Sequence, residues 1–340
     1  MDNQTYNIIQ VIGSPFIDSN NELDRLKIDE LYEFSKKNRM PLLYLKSISE
    51  LDVQDKYKKE YIYLIDRWSE IEGSIKKVLE ILDREKIMYT TFKSIKPYRE
   101  ITVDIDLLIL DCYERAVKVL KKSGYVLLER GPLSSTFRDQ EVKIDYDIYD
   151  EVGVSQIIYY DKDKVREQII DKPLLTGGYI KSLSPVTDLL AIIAHSVIKE
   201  QMYIIAEYYS TLFYLERIGV KGIESFLKMS EQLGLNTAVK AHLGITYVIH
   251  KLVHDVEPLP LRGIISKLGY NGLEIQRVKE SQLKMPHKFH PITLINALSE
   301  KLRDPKSRRS FSEQLINMMS PSFTMDFIPK MLSHVKRETY

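Results

Sequence analysis

Residues 91–110 read TFKSIKPYREITVDIDLLIL, and the second half of this stretch sets the reading of the whole chain. From Ile101 onward the residues alternate. Thr102, Asp104 and Asp106 share one parity, and Val103, Ile105 and Leu107 share the other. Successive side chains of a strand point to opposite faces. The pattern therefore predicts a strand that buries Ile105 and Leu107 and projects Asp104 and Asp106 together from its other side. Carboxylates two positions apart on a strand lie about 7 Å apart. They can share a divalent cation, because Mg²⁺ is commonly held by a few carboxylates together with substrate phosphates.

Residues 141–149, EVKIDYDIY, repeat the pattern more cleanly. Val142, Ile144, Tyr146 and Ile148 fall on one face, and Lys143, Asp145 and Asp147 on the other. A third carboxylate from such a neighbouring strand completes a set able to hold two Mg²⁺ ions, which activate an attacking hydroxyl and stabilise a leaving phosphate. Lys143 shares the face of Asp145 and is expected to pair with it.

An apolar residue and a short loop, then Asp-x-Asp on a strand and a further Asp on a later strand: this order resembles the DNA polymerase beta-like nucleotidyltransferase superfamily. Phe92-Lys93-Ser94 stands where that family has an apolar residue, Gly, then Gly or Ser. Nine residues, 95 to 103, separate Ser94 from Asp104. The chain is more closely similar to an uncharacterised prokaryotic nucleotidyltransferase-like branch, whose loop reads Leu-Lys-Gly and whose third strand reads Ile-Asp before a polar or aromatic run, as in Ile144-Asp145-Tyr146. The resemblance spans roughly residues 28 to 215. It implies that Asp104, Asp106 and Asp145 are the catalytic and metal-binding carboxylates, with Asp147 as the alternative third ligand. It implies Mg²⁺ (or Mn²⁺) as cofactor, an NTP as substrate, and Ser94 as the residue that contacts the nucleotide's phosphate. The departure is Lys93 in place of a glycine that would let the backbone approach phosphates closely. Cations in the same loop, Lys93, Lys96 and Arg99, could neutralise a triphosphate.

The remaining sequence frames this reading. The chain has 340 residues, enough for two or three domains with a substantial core. Lys and Arg number 49 and Asp and Glu 48, so no overall field advertises nucleic acid or a membrane. The one cysteine, Cys112, excludes an internal disulfide, argues for a reducing interior and is read as structural. No apolar run approaches the length of a membrane span and residues 1–10 are polar, so a soluble, cytoplasmic protein is expected. Sparse glycine with heavy use of Lys, Glu, Ile and Tyr suggests a thermophilic source.

The expected fold is α/β (α+β), a nucleotidyltransferase-like mixed sheet flanked by helices. Residues 1–86 form a helical N-terminal segment packing on the catalytic domain, 87–183 that domain, and 184–340 a mostly helical C-terminal domain. Helices are predicted over 26–38, 42–51 and 57–86, with Trp68 on the apolar stripe of the third. Asp111 is expected to cap a helix over 113–122. A strand is expected over 87–92, and two more over 125–130 and 134–138. Residues 156–173 read as a helix plus linker, and 175–182 as a turn entering a strand. Ser184-Pro185 opens a helix strongly, and helices follow to 337. Ile12-Gly13-Ser14 matches the apolar-Gly-Ser pattern better than Phe92-Lys93-Ser94 does, but no Asp-x-Asp strand follows it, so it reads as a decoy.

His195 lies in an apolar run and is expected in the core. His250 and His254, four apart on a helix with His242 nearby, lack the Glu of a zinc-binding His-Glu-x-x-His motif. Residues 277–309 hold nine Lys and Arg against three acids, where an RNA acceptor could bind. The activity expected is metal-dependent transfer of an NMP from an NTP to a hydroxyl of RNA, protein or a small molecule, with release of pyrophosphate. It could also be that of the enzyme half of a toxin–antitoxin pair. The alternative is a catalytically inactive module of the same fold that binds nucleic acid or a partner protein.

Overall fold

A computed structural model describes residues 3–17, 27–49, 55–154, 156–174 and 176–318. Helices α1 (Gln4–Ile12), α2 (Ile28–Lys37), α3 (Pro41–Ile48) and α4 (Asp55–Arg84) precede a sheet of seven strands. The strands are β1 (Tyr89–Thr91), β2 (Asp104–Ile109), β3 (Val126–Arg130), β4 (Ser134–Asp139), β5 (Ile144–Tyr149), β8 (Ile169–Pro173) and β9 (Tyr179–Leu183). A separate hairpin, β6 (Val152–Val154) and β7 (Ile157–Tyr160), lies between β5 and β8. The order across the sheet is β3-β4-β5-β2-β1-β9-β8, with β2 parallel to β5, β1 parallel to β9 and the other pairs antiparallel. This is the expected mixed α/β (α+β) fold.

The period-two pattern decides which face of the sheet each core takes. Ile105, Leu107 and Ile109 of β2, with Ile144, Tyr146 and Ile148 of β5, join one apolar cluster with α4 and with Ala116, Val117 and Leu120 of α5 (Tyr113–Lys122). The other parity, Leu108 of β2 and Tyr149 of β5, joins a second cluster. That cluster is built mainly from α7 (Pro185–Ala194), α8 (Ile205–Ile218), α9 (Ile223–Gln232) and α10 (Asn236–His254). Asp104, Asp106, Asp145 and Asp147 have this second parity, so the carboxylates lie on the face that the C-terminal helices cover.

The N-terminal 86 residues divide between the two cores. Helices α1 to α3 pack into the cluster of the C-terminal helices, whereas α4 covers the opposite face of the sheet. Tyr209 of α8 donates to the carbonyl of Gly13 (3.2 Å), and the Ile205 N–H donates to Asn38 Oδ1 (3.2 Å). The first helices thus brace the C-terminal half more than the sheet.

Several local expectations are corrected. Asp111 does not cap α5: its Oδ1 accepts the Met88 N–H at 2.9 Å, and Cys112, exposed and left-handed at φ 52°, occupies the cap. The 156–173 segment forms strand β7, the single turn α6 (Lys162–Val165) and β8, because Ile157–Tyr160 pairs back on Val152–Val154. Trp68 is only half-buried, and its ring face takes the Arg99 guanidinium at 5.5 Å. The helix expected over 324–337 lies outside the described residues. Ser184 and Pro185 do open α7, the serine Oγ accepting the Thr187 N–H at 3.4 Å.

Candidate active site

β2 and β5 are adjacent and parallel, with Asp104 paired to Asp145 and Asp106 to Asp147. Asp104, Asp106 and Asp147 line one cleft of about 460 Å³, within the size of small-ligand sites. Lys93, Ser94 and Lys96 from the loop after β1 line the same cleft. Its far wall comes from the end of α7 and the start of α8, which contribute Ile192, Ile204 and Ser210 among others. Asp145 and Arg99 are not part of it. Asp145 faces its antiparallel neighbour on β4, where Arg138 grips both carboxylate oxygens at 2.6 and 2.7 Å. Arg138, rather than Lys143, is therefore its partner, and Lys143 turns into the tight loop ahead of β5 with φ 55°. The third carboxylate in the cleft is Asp147.

Asp106 is the buried centre, 1% exposed. Ser94 Oγ donates to its Oδ2 at 2.8 Å and accepts its backbone N–H at 2.7 Å. Its Oδ1 is held by the Lys93 ammonium, which stands 2.7 Å from it as an ion pair. The loop that makes this contact is a turn closed around Lys93, with the Ser94 N–H donating to the Phe92 carbonyl at 2.7 Å. Lys93 has φ 51°, the left-handed conformation that favours glycine, so the chain keeps the backbone shape of a glycine there while carrying a cation. Asp188, buried in the first turn of α7, fixes that shape by accepting the Lys93 N–H at 2.6 Å. Tyr214 of α8 donates to the same carboxylate.

The charges are mutually perturbed. Burial, then the neighbouring Asp106, pushes the Asp104 carboxyl up to about 6. Burial and Asp106 also raise Asp147, although Thr136 Oγ1 donates to it at 2.6 Å. Burial acts to lower Lys93, but Asp106 and Asp104 outweigh it and hold the ammonium above its ordinary value. Lys96, further along the cleft, is lowered by burial despite Glu100.

Three cleft residues carry no signal in a helical sequence pattern. After α7 the helix widens to a π-helical turn, His195–Glu200, and this turn brings His195, Lys199 and Glu200 to the cleft. His195, expected in the core, stands 3.4 Å from both Glu200 Oε1 and the Tyr159 hydroxyl. Lys199 lies 3.5 Å from the Tyr149 hydroxyl, and its charge acts on Asp104 and Asp147 from across the cleft. A π turn shifts the side chains beyond it out of the 3.6-residue stripe. Arg39 and Glu129 also line the cleft.

Four cations of the basic segment, and His242, have partners within the protein. Of the basic 277–309 segment, Arg277 bonds Glu274 (3.2 Å), and buried Lys301 bonds the Leu233 carbonyl (2.5 Å). Lys306 bonds Glu151 and Asp163 (both 2.8 Å), and Arg309 bonds Glu313 (2.9 Å). His242 is buried against Thr211, and burial pushes it down to about 3. Among the described residues, no three His, Cys, Asp or Glu side chains are already gathered as a metal-holding group. No helix there is long and apolar enough to cross a membrane.

Asp104, Asp106 and Asp147 are carboxylates on two adjoining strands, the donor type that hard divalent cations take, and the cation that meets Asp106 Oδ1 here is the Lys93 ammonium. No protein-family model matches the chain, and no curated protein matches its sequence.

Proposed function

We propose that the protein is a nucleotidyltransferase that moves an NMP from an NTP to a hydroxyl acceptor and releases pyrophosphate. One observation carries this reading. Three aspartates from two parallel strands share a ligand-sized cleft with a serine loop and several lysines. Asp104, Asp106 and Asp147 would hold Mg²⁺ or Mn²⁺. When bound, such ions lower the pKa of the attacking hydroxyl and offset the charge of the leaving pyrophosphate.

The chain's own residues supply the rest. Ser94 sets the orientation of Asp106 by donating to one of its oxygens and accepting its N–H. Lys93, Lys96 and Lys199 bring positive charge to the cleft for the triphosphate, and the low local dielectric strengthens each contact. The helical wall shields the reacting groups from water on the side opposite the sheet.

The lysine at the glycine position favours a second reading, a module of the same fold that binds phosphates without transferring a nucleotide. Calorimetric titration with each NTP in Mg²⁺ tests the shared requirement. Binding by the unaltered protein that weakens at least about tenfold in Asp147→Asn supports the cleft as the nucleotide site. Equal binding by both proteins contradicts it. Transfer itself, measured separately, distinguishes the enzyme from the module.

A further inference from the structure

We infer that Lys93 is a tethered counter-cation that occupies the place of a divalent ion on Asp106 and leaves it when a nucleoside triphosphate arrives. This rests on the nucleotidyltransferase reading and adds to it an order of assembly: free metal binds weakly, and metal and triphosphate bind as a coupled pair.

The geometry that carries this is local to one oxygen. Asp106 Oδ2 is committed to Ser94, so Oδ1 is the donor left for a cation, and the Lys93 Nζ stands 2.7 Å from it. A divalent ion placed on that oxygen would stand roughly 4 Å from the ammonium, where like charges in a water-poor cleft repel, so the metal binds more readily once the ammonium has left.

Lys93 is also built to move at its tip and nowhere else. Its N–H is held by Asp188 at 2.6 Å, and the following N–H closes the turn on Phe92. The backbone is therefore pinned on both sides of the residue, while the four-carbon stem carries a compact charge through rotatable bonds. In the resting arrangement that charge offsets the neighbouring carboxylates Asp106, Asp104 and Asp147, with Lys199 acting on Asp104 and Asp147 from across the cleft. A triphosphate in the same cleft offers the ammonium a new anionic partner. The swing of one side chain then frees Asp106 Oδ1 at the moment the phosphates bring their own metal.

Such coupling is reciprocal: if the triphosphate tightens metal binding, the metal tightens triphosphate binding by the same factor. A ligand that must displace a resident group has its affinity reduced by the fraction of sites that are open. A lysine resident about nine times in ten would weaken free-metal binding about tenfold relative to an empty site.

The test is Mn²⁺ binding to the full chain, followed by the electron paramagnetic resonance signal of free Mn²⁺. It is made with and without a nucleotide whose α,β-bridge is methylene, so that no transfer occurs. The proteins are the unaltered chain, Lys93→Met, Lys93→Gln and Lys93→Arg, each checked for folding by circular dichroism, with Asp104→Asn to assign the signal to the cleft. The expectation is that Lys93→Met and Lys93→Gln bind Mn²⁺ about tenfold more tightly than the unaltered protein in the absence of nucleotide. Lys93→Arg, which keeps the charge, should bind as weakly as the unaltered protein. Nucleotide should tighten Mn²⁺ binding about tenfold in the unaltered protein and much less in the uncharged variants. The glutamine keeps a hydrogen-bond donor for Asp106 and serves if the methionine variant does not fold. Folded Lys93→Gln that binds free Mn²⁺ no better than the unaltered protein overturns the inference, as does the absence of Mn²⁺ binding in every variant. If the uncharged variants gain Mn²⁺ affinity but the nucleotide binds to none of the proteins, the tethered cation stands and the nucleotidyltransferase reading fails.

Discussion

Ile12-Gly13-Ser14 and Phe92-Lys93-Ser94 are two serine loops that meet different chemistry. The central residue has positive φ in both, 77° at Gly13, which caps α1, and 51° at Lys93, around which the turn closes. The serine hydroxyl is tied in both. Ser14 Oγ lies 2.8 Å from His250 Nε2, and Ser94 Oγ lies 2.8 Å from Asp106 Oδ2. The difference lies in the partner. His250 Nδ1 sits 2.8 Å from the Val256 carbonyl, which can only accept, so Nδ1 carries the hydrogen and Nε2 accepts from Ser14. Burial holds that imidazole below its ordinary pKa, and the pair fastens the end of α1 to α10. Ser94 instead orients a buried carboxylate at the rim of a cleft. The loop text predicts a turn with a hydroxyl inside it, and only the strand that follows says whether the hydroxyl meets catalytic machinery.

The largest effect that separates the two loops is on transfer. Asp104→Asn and Asp147→Asn should each lower it by about 10³-fold, equivalent to about 4 kcal/mol of transition-state stabilisation. Any substitution at Ser14 should leave the rate of the folded protein unchanged. A steady-state comparison at saturating NTP checks both, and substantial loss of transfer in Ser14→Ala would break the distinction.

Next come the serines themselves. Ser94→Ala removes a donor to a carboxylate, a bond worth about 1.5–3 kcal/mol, so transfer should fall about 10- to 100-fold. Ser14→Ala deprives buried His250 of its donor and should cost about 1–3 kcal/mol in unfolding free energy, measured with urea. If both serines act on stability alone, the loops are equivalent and the cleft assignment weakens.

The spacer between Ser94 and Asp104 carries a smaller, pH-dependent effect. Glu100 is buried and accepts the N–H groups of Leu42, Leu43 and Ile101 at 3.2, 3.0 and 2.9 Å. Burial nevertheless raises its carboxyl from 4.5 to about 7. A folded pKa above the unfolded one means that the native state holds this proton more tightly. Its contribution to stability is full below 4.5 and is lost as pH rises through 7. Melting temperature measured across that window should fall less steeply in Glu100→Gln than in the unaltered protein.

The smallest effect belongs to the carboxylate outside the cleft. Asp145→Asn breaks a pair with Arg138 that is partly exposed, so it should cost no more than about 1 kcal/mol and leave transfer intact. A loss as large as that of Asp147→Asn would reverse the assignment of the third carboxylate.

Much of the fold was legible because strand alternation is a two-residue signal. The alternation in 101–107 and 141–149 identified both strands, their buried faces and the shared side of the four aspartates. The choice between Asp145 and Asp147 was not legible, because both have the same parity. It turns on Arg138 across the sheet, a partner chosen by antiparallel register. His195, Lys199 and Glu200 were hidden for a different reason. A 3.6-residue stripe places His195 with the core, and the π turn that redirects it is a tertiary accommodation without a residue signature. In the basic stretch from 277 to 309, composition counts charges without placing them, and it does not show the partners of Arg277, Lys301, Lys306 and Arg309.

The measurement that bears most directly on the central claim is incubation of the protein with each α-labelled NTP, Mg²⁺ or Mn²⁺, and total cellular RNA, protein and small metabolites, alongside Asp104→Asn. The account predicts label transferred to one class of acceptor by the unaltered protein and not by the variant. Equal labelling by both proteins, or no label with any NTP and either metal, would contradict it.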